Sequence, residues 1–80
     1  MDVVITGSLT VTSIAQFLVT AWKGGKHFGF YIYHGHLYRR SLSELKPDVS
    51  LDQGFDESSS ECYLEVKMQL HHWGYVLDGE

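Results

Sequence analysis

Apolar and polar positions alternate with different periods along the chain, and each period predicts one element. Residues 2–6 are mostly β-branched and apolar, which is typical of a strand. From Ile14 to Trp22 the apolar residues recur at the spacing of one helix face. Gly24 and Gly25 follow, and glycine readily adopts the backbone conformation that ends a helix. The pattern therefore predicts a strand followed by a helix.

The aromatic segment at residues 26–41 predicts a β-hairpin. It is rich in strand-forming residues and is interrupted at its centre by His34 and Gly35. A two-residue connection that ends in glycine is typical of a type I′ turn between antiparallel strands. In this register we expect Tyr31 to lie opposite Tyr38.

The two faces of this hairpin differ in chemistry. One carries apolar side chains and is predicted to pack on the core, namely Phe28, Phe30, Ile32 and Leu37. The other carries phenol and cationic side chains, which are enriched in the contact centres of protein interfaces. We expect this second face, with its flanking arginines, to be the partner-binding site, which consists of Tyr31, Tyr33, His36, Tyr38, Arg39 and Arg40.

The segment after the hairpin, residues 42–60, is predicted to be a flexible loop. Aspartate, glycine and serine dominate its second half, and these residues favour turns. Phe55 is the expected anchor of that half. We expect the loop to lie within one domain that spans residues 1–80.

The segment at residues 61–73 fits two patterns. Its apolar residues alternate with polar ones, which predicts a strand. Its strong helix formers and the capping-box sequence from Ser58 to Glu61 favour a helix instead. On a helix, one narrow stripe carries the apolar residues, while Leu64 and Met68 fall on the far side. We expect the helix to end at Gly74 and a closing strand to follow at residues 75–77.

Together these elements predict an α+β fold of the split β-α-β type. Strand, helix, hairpin, helix and strand give the order β-α-β-β-α-β, with both helices on one face of an antiparallel sheet. The alternative is a mostly β domain in which residues 61–70 add a strand to the hairpin.

Composition and charge limit the classes of protein that this chain can be. Its 80 residues are 44% hydrophobic and 20% charged, which fits one globular domain. The net charge is −4, yet residues 1–43 hold one acid and four bases, and residues 44–80 hold nine acids and two bases. Such asymmetry favours docking to a charged partner or self-association.

Cys62 is the only cysteine, so no disulfide can form within the chain. A lone thiol is typical of a reducing compartment, and the first residues lack the basic and apolar runs of a signal peptide. We therefore expect a cytoplasmic protein without a membrane-spanning segment.

Candidate catalytic and metal-binding residues do not form a recognised pattern. Neither the pair His34 and His36 nor the adjacent His71 and His72 has the four-residue spacing of helical metal ligands. No serine lies in a Gly-x-Ser-x-Gly sequence. We predict neither an enzyme nor a bound cofactor or metal, and a site shared by His27, Cys62 and His71 is the remaining metal alternative.

One short motif resembles a known family. Lys26, Phe28, Gly29, Phe30 and Tyr33 match the aromatic octapeptide of the RNA-recognition motif, whereas His27 and Tyr31 depart from it. The resemblance covers eight residues, and it implies that the two phenylalanines stack on bases.

The function predicted from these observations is that of a small, non-enzymatic interaction module. It would act as an accessory protein, an inhibitor or a regulatory adaptor that binds a protein partner, or a second copy of itself as a homodimer, through the tyrosine-rich hairpin face. The alternative is single-stranded nucleic-acid binding by the same aromatic hairpin.

Overall fold

The computed structural model describes residues 17–79 as a five-stranded antiparallel sheet with one helix packed on it. The α+β class is therefore confirmed, whereas the predicted β-α-β-β-α-β order is not, because four strands precede the helix in this part of the chain. The predicted strand at residues 2–6 lies outside the described residues. The elements in chain order are β1 (Val19–Lys23), β2 (Lys26–Tyr33), β3 (His36–Ser41), β4 (Val49–Gly54), α1 (Cys62–His72) and β5 (Val76–Leu77).

Strand β1 replaces the second half of the helix expected between Ile14 and Trp22. It pairs antiparallel with β2 as far as Lys23 opposite Lys26, and the two strands are joined by Gly24 and Gly25. Both glycines have positive φ, 60° and 77°, which a type I′ turn requires. The pair of glycines thus closes a hairpin and does not end a helix, so the helix prediction is wrong for residues 19–22.

The β2–β3 hairpin is confirmed with the predicted register. Tyr31 pairs with Tyr38, and the strands reverse at His34 and Gly35. The φ values of these two residues are 51° and 79°, so the histidine adopts the left-handed conformation that the turn needs.

Strand β4 occupies the middle of the segment predicted as a flexible loop. It pairs with β3, and the register shifts between His36 and Tyr38. The amide of Phe55 donates to the carbonyl of Gly35 over 2.8 Å, and its side chain packs against the core as expected. The loop prediction is therefore wrong for residues 49–54.

Helix α1 confirms the helical interpretation of the last segment. No side chain caps its first turn, because Ser58 bonds to Asp56 and does not form the expected capping box. Gly74, with a φ of 92°, follows the helix, and β5 then pairs with β1. At eleven residues, α1 is too short to cross a membrane, and no other helix of residues 17–79 could do so.

The core lies between α1 and the face of the sheet that we call the inner face. Phe30, Leu37, Val66 and Leu70 are fully buried there, as expected for the apolar hairpin face and the helix stripe. The buried set also includes residues of β1 and β5 and residues at or just beyond the ends of α1, namely Val19, Ala21, Leu77, Tyr75 and Cys62. The predicted core residues Phe28 and Ile32 pack against this cluster and are partly buried.

Candidate protein interface

The opposite face of the sheet, which we call the outer face, carries the phenol side chains that the sequence indicated. Alternation along the paired strands places nine residues there, together with Val76 of β5. They are Thr20, Trp22, His27, Gly29, Tyr31, Tyr33, His36, Tyr38 and Arg40.

At the centre of the outer face, Asp48 binds two neighbouring side chains. The Tyr31 hydroxyl donates to Asp48 Oδ2, and Arg40 donates from Nε to Oδ1 over 3.0 Å and from Nη2 to Oδ2 over 3.2 Å. The Asp48 side chain is only 4% exposed. Because a buried carboxylate needs such partners, this group is a closed ion pair within the chain.

Tyr31 belongs to this closed group and is only 6% exposed. Its ring stacks on Tyr38, with centroids 5.5 Å apart and planes 12° apart. Burial, followed by the hydrogen bond to Asp48, raises the pKa of the Tyr31 phenol. Tyr31 therefore lies on the predicted face, but its ring is covered there. It packs against Tyr38 and is not available to a partner on the outer face.

Phe17 lies across the same centre and was not singled out by the sequence pattern. A Cβ atom at Gly29 would come within 2.7 Å of the Phe17 ring, so the glycine is what lets the ring lie flat on β2. The rings of Phe17 and Tyr31 are 6.1 Å apart. A glycine inside a strand is a usable signal of such a close approach.

Arg39 is on the inner face, contrary to the expectation that it flanks the tyrosines. It pairs with Phe30 in the register, its guanidinium lies 4.7 Å from the Phe28 ring centroid, and its Nη1 donates to Tyr75 Oη over 3.0 Å. Alternation along β3 forces this placement, since Arg40 is its neighbour on the other side.

Two groups of rings on the outer face do reach the solvent. At the hairpin end, Tyr33 is 39% exposed, stacks on His34 at 4.1 Å and meets Tyr38 edge-on at 6.0 Å. His36 is also exposed there. At the other end, Trp22 is 44% exposed. The groups are about 20 Å apart along β2, at roughly 3.3 Å per residue.

The Trp22 end is organised around Asp78. The indole stacks on the His27 ring at 4.3 Å, and His27 Nε2 lies 2.8 Å from Asp78 Oδ2. The Thr20 hydroxyl donates to the same carboxylate oxygen. Hydrogen bonds from Thr20 and then from His27 lower the pKa of Asp78. The Trp22 indole thus stacks on His27, and the contact with Asp78 in turn holds the His27 ring in place.

This arrangement lacks the geometry of a catalytic relay. In a nucleophilic triad the histidine stands between the hydroxyl and the carboxylate, whereas here Asp78 stands between Thr20 and His27. Residues 17–79 contain no group of three histidine, cysteine or acidic side chains that could hold a metal, so His27, Cys62 and His71 are not brought together.

The phenylalanines of the aromatic octapeptide do not form a base-stacking platform. Phe30 is fully buried beneath α1, and the Phe28 ring meets Tyr75 edge-on at 5.9 Å. The structure therefore corrects what the resemblance to the RNA-recognition motif implied for these two residues.

Comparison of the chain with protein-family models, with curated proteins and with solved structures finds no match.

Proposed function

We propose that this chain is a small, non-enzymatic protein-interaction module that binds a protein partner through the outer face of its sheet. The observation that carries the proposal is the pair of exposed ring groups at Tyr33 and at Trp22, both on hydrogen-bonded strands of the sheet. Aromatic side chains contribute most at interfaces when they are held in place before binding, because little conformational entropy is then lost.

The central ion pair supports this role because the hydrogen bonds of Asp48 hold the neighbouring side chains in place. Asp48 ties Arg40 and Tyr31 together, and Tyr31 stacks on Tyr38. Tyr38 in turn supports Tyr33 from the side. The exposed Tyr33 ring therefore packs against Tyr38, which is itself held by its stacking on Tyr31.

The chemistry of the outer face favours an apolar or aromatic partner surface over an acidic one. Arg40 is the only lysine or arginine that the described residues place there, and Asp48 neutralises it. Arg39 lies on the inner face, where it cannot serve the same contact. A second copy of the chain is one such partner, which would give a homodimer, and the cytoplasm is the proposed location.

Single-stranded nucleic acid fits the outer face less well. Such ligands need cations along the backbone as well as rings beneath the bases. The rings are present, but Lys23, Lys26 and Arg39 all fall on the inner side by strand alternation. We therefore rank this function second.

The test compares outer-face variants with a matched variant elsewhere. Tyr33→Ala and Trp22→Ala remove exposed rings from the outer face, and Met68→Ala removes an exposed apolar side chain from α1. We expect each outer-face variant to weaken association by about 30-fold, the effect of losing an interface anchor worth about 2 kcal/mol. Met68→Ala should leave it unchanged.

Association is measured by light scattering against concentration and by affinity capture from the native host. Circular dichroism confirms that each variant folds. Loss of association with Met68→Ala, and not with the outer-face variants, would contradict the proposal. Binding of oligothymidine that weakens steeply with salt and requires Tyr33 would favour the nucleic-acid function.

A further inference from the structure

A groove of about 480 Å³ opens between the sheet and the start of α1. Strand β1 pairs with β2 only as far as Phe30, so β2 continues beyond it through Tyr31 and Ile32. These two residues form one side of the groove, and Cys62 and Tyr63 at the beginning of α1 form the other. The groove is therefore distinct from the ring groups at Tyr33 and Trp22, which do not line it.

The walls of the groove are aromatic and aliphatic. Phe17 and Tyr63 contribute rings, and Leu18 and Ile32 contribute aliphatic surface, while the nearly buried Tyr31 only borders the groove. Its polar lining comes from two serines and one carboxylate, that of Glu57, and no described lysine or arginine lines it. Such walls suit a long side chain with an apolar stem and a cationic end.

The groove also lies in a negative field. Residues 52–65 contain five acids and no lysine or arginine. Burial, and then the carboxylates of Glu65, Glu57 and Asp56, raise the pKa of the Cys62 thiol. The charge of this segment thus reaches the wall of the groove, where it disfavours anions and favours cations.

Two of these rings already lie close to cations of this chain. Lys67 Nζ lies 4.2 Å from the Tyr63 ring centroid, and the Arg40 guanidinium lies 5.7 Å from that of Phe17. Neither cation lines the groove. These contacts illustrate the attraction of a ring face for a cation, which is stronger where water is excluded.

We propose that this groove binds an arginine side chain presented by a protein partner. The aliphatic stem lies along Leu18 and Ile32, and the guanidinium stacks against the rings and pairs with the Glu57 carboxylate. Arginine fits better than lysine, because a planar guanidinium combines stacking with two-point pairing to a carboxylate. The inference does not rest on the exposed rings of Tyr33 and Trp22, so either proposal can fail while the other stands.

The test is a titration of the ¹⁵N-labelled full chain, followed by NMR. The probe is a capped pentapeptide with arginine at its centre, flanked by leucine and glycine, and the control peptide carries neutral citrulline in place of arginine. We expect the arginine peptide to shift the amides of Leu18, Ile32 and Tyr63, and the citrulline peptide to bind more weakly.

Two variants separate a local contact from the general charge of the protein. Glu57→Gln removes the groove carboxylate and should weaken arginine-peptide binding by about threefold or more, the scale of an exposed ion pair. Glu44→Gln changes the net charge equally, but Glu44 pairs with Lys26 and Lys46 away from the groove, so binding should not change.

Equal binding of the two peptides, or equal effects of the two variants, would overturn the proposal. Nuclear Overhauser contacts that join the groove to residues 1–16 or to a second copy of the chain would identify another occupant and would also overturn it. Failure of the Tyr33→Ala test, with the groove shifts intact, would reject the outer-face function alone.

Discussion

The inner and outer faces of the sheet share the same strands but are held by different forces. On the inner face, Phe30 and Leu37 are fully buried against Leu70 of α1, and all three are apolar. On the outer face, Tyr31 is almost as well buried, yet its hydroxyl is bound by Asp48, which also binds Arg40. One face is stabilised by apolar burial and the other by directional polar contacts.

This difference predicts how each face responds to substitution. Apolar burial depends on area and volume, so a swap that conserves volume is tolerated on the inner face. Hydrogen bonds and ion pairs depend on geometry and on both partners, so a near-isosteric change on the outer face leaves a buried polar group unsatisfied. The outer face is therefore the more sensitive to residue identity.

The largest effect is expected on the inner face. Leu70→Ala should lower the free energy of unfolding by about 3 kcal/mol, because it removes a fully buried side chain and leaves a cavity. Urea denaturation measures the change, and Leu64→Ala is the matched control, since Leu64 is on the same helix but exposed. The control should change stability by less than about 0.5 kcal/mol. Equal losses would mean that α1 does not bury the side on which Leu70 lies.

An intermediate effect is expected at the centre of the outer face. Asp48→Leu should cost about 2 kcal/mol, because it leaves the Arg40 guanidinium and the Tyr31 hydroxyl without their acceptor. The double variant with Arg40→Met should recover most of that loss, since both charges are then removed together. Urea denaturation of the four proteins gives the coupling, and additive losses would refute a mutually dependent pair.

The smallest effect concerns the pH dependence at the Trp22 end. Thr20 and His27 lower the pKa of Asp78, so its contribution is fully present above about pH 4, the usual aspartate pKa, and is lost as the pH falls through the lowered folded value. Because the pair is exposed, the contribution should not exceed about 1 kcal/mol. Denaturation of the wild type and of Asp78→Asn from pH 7 to pH 2 tests this, and the stability difference should shrink only in the acidic range. A difference that grows on acidification would reverse the assigned sign.

The hairpin and α1 could be predicted because their signals are local. The turn at His34 and Gly35 determines which residues are opposite each other, and alternation then assigns every side chain to a face. The same rule places Arg39 on the inner face with the phenylalanines, away from the tyrosines that it was expected to flank. Exposure was harder to predict, because Tyr31 is covered by Phe17 and Asp48, which are distant in sequence.

Strand β1 was missed because one sequence fits two structures. The spacing of apolar residues up to Trp22 suits a helix, and the glycines at 24 and 25 suit either a helix end or a type I′ turn. Pairing with β2 decides between them, and this is a tertiary effect that overrides local periodicity. Strand β4 was missed because only Val49 and Leu51 are apolar, which is too few to outweigh its polar neighbours.

Within residues 17–79, the two outermost strands of the sheet are β5 and β4, and both are poor templates for a further strand. Strand β5 has only two residues, so it offers a very short ladder to another chain. On the opposite margin, Asp52 of β4 has a φ of 55°, which interrupts the extended backbone of that strand. Short or irregular edge strands discourage the edge-to-edge pairing of sheets into fibrils. Pairing of β4 or β5 with a strand of another molecule is therefore disfavoured.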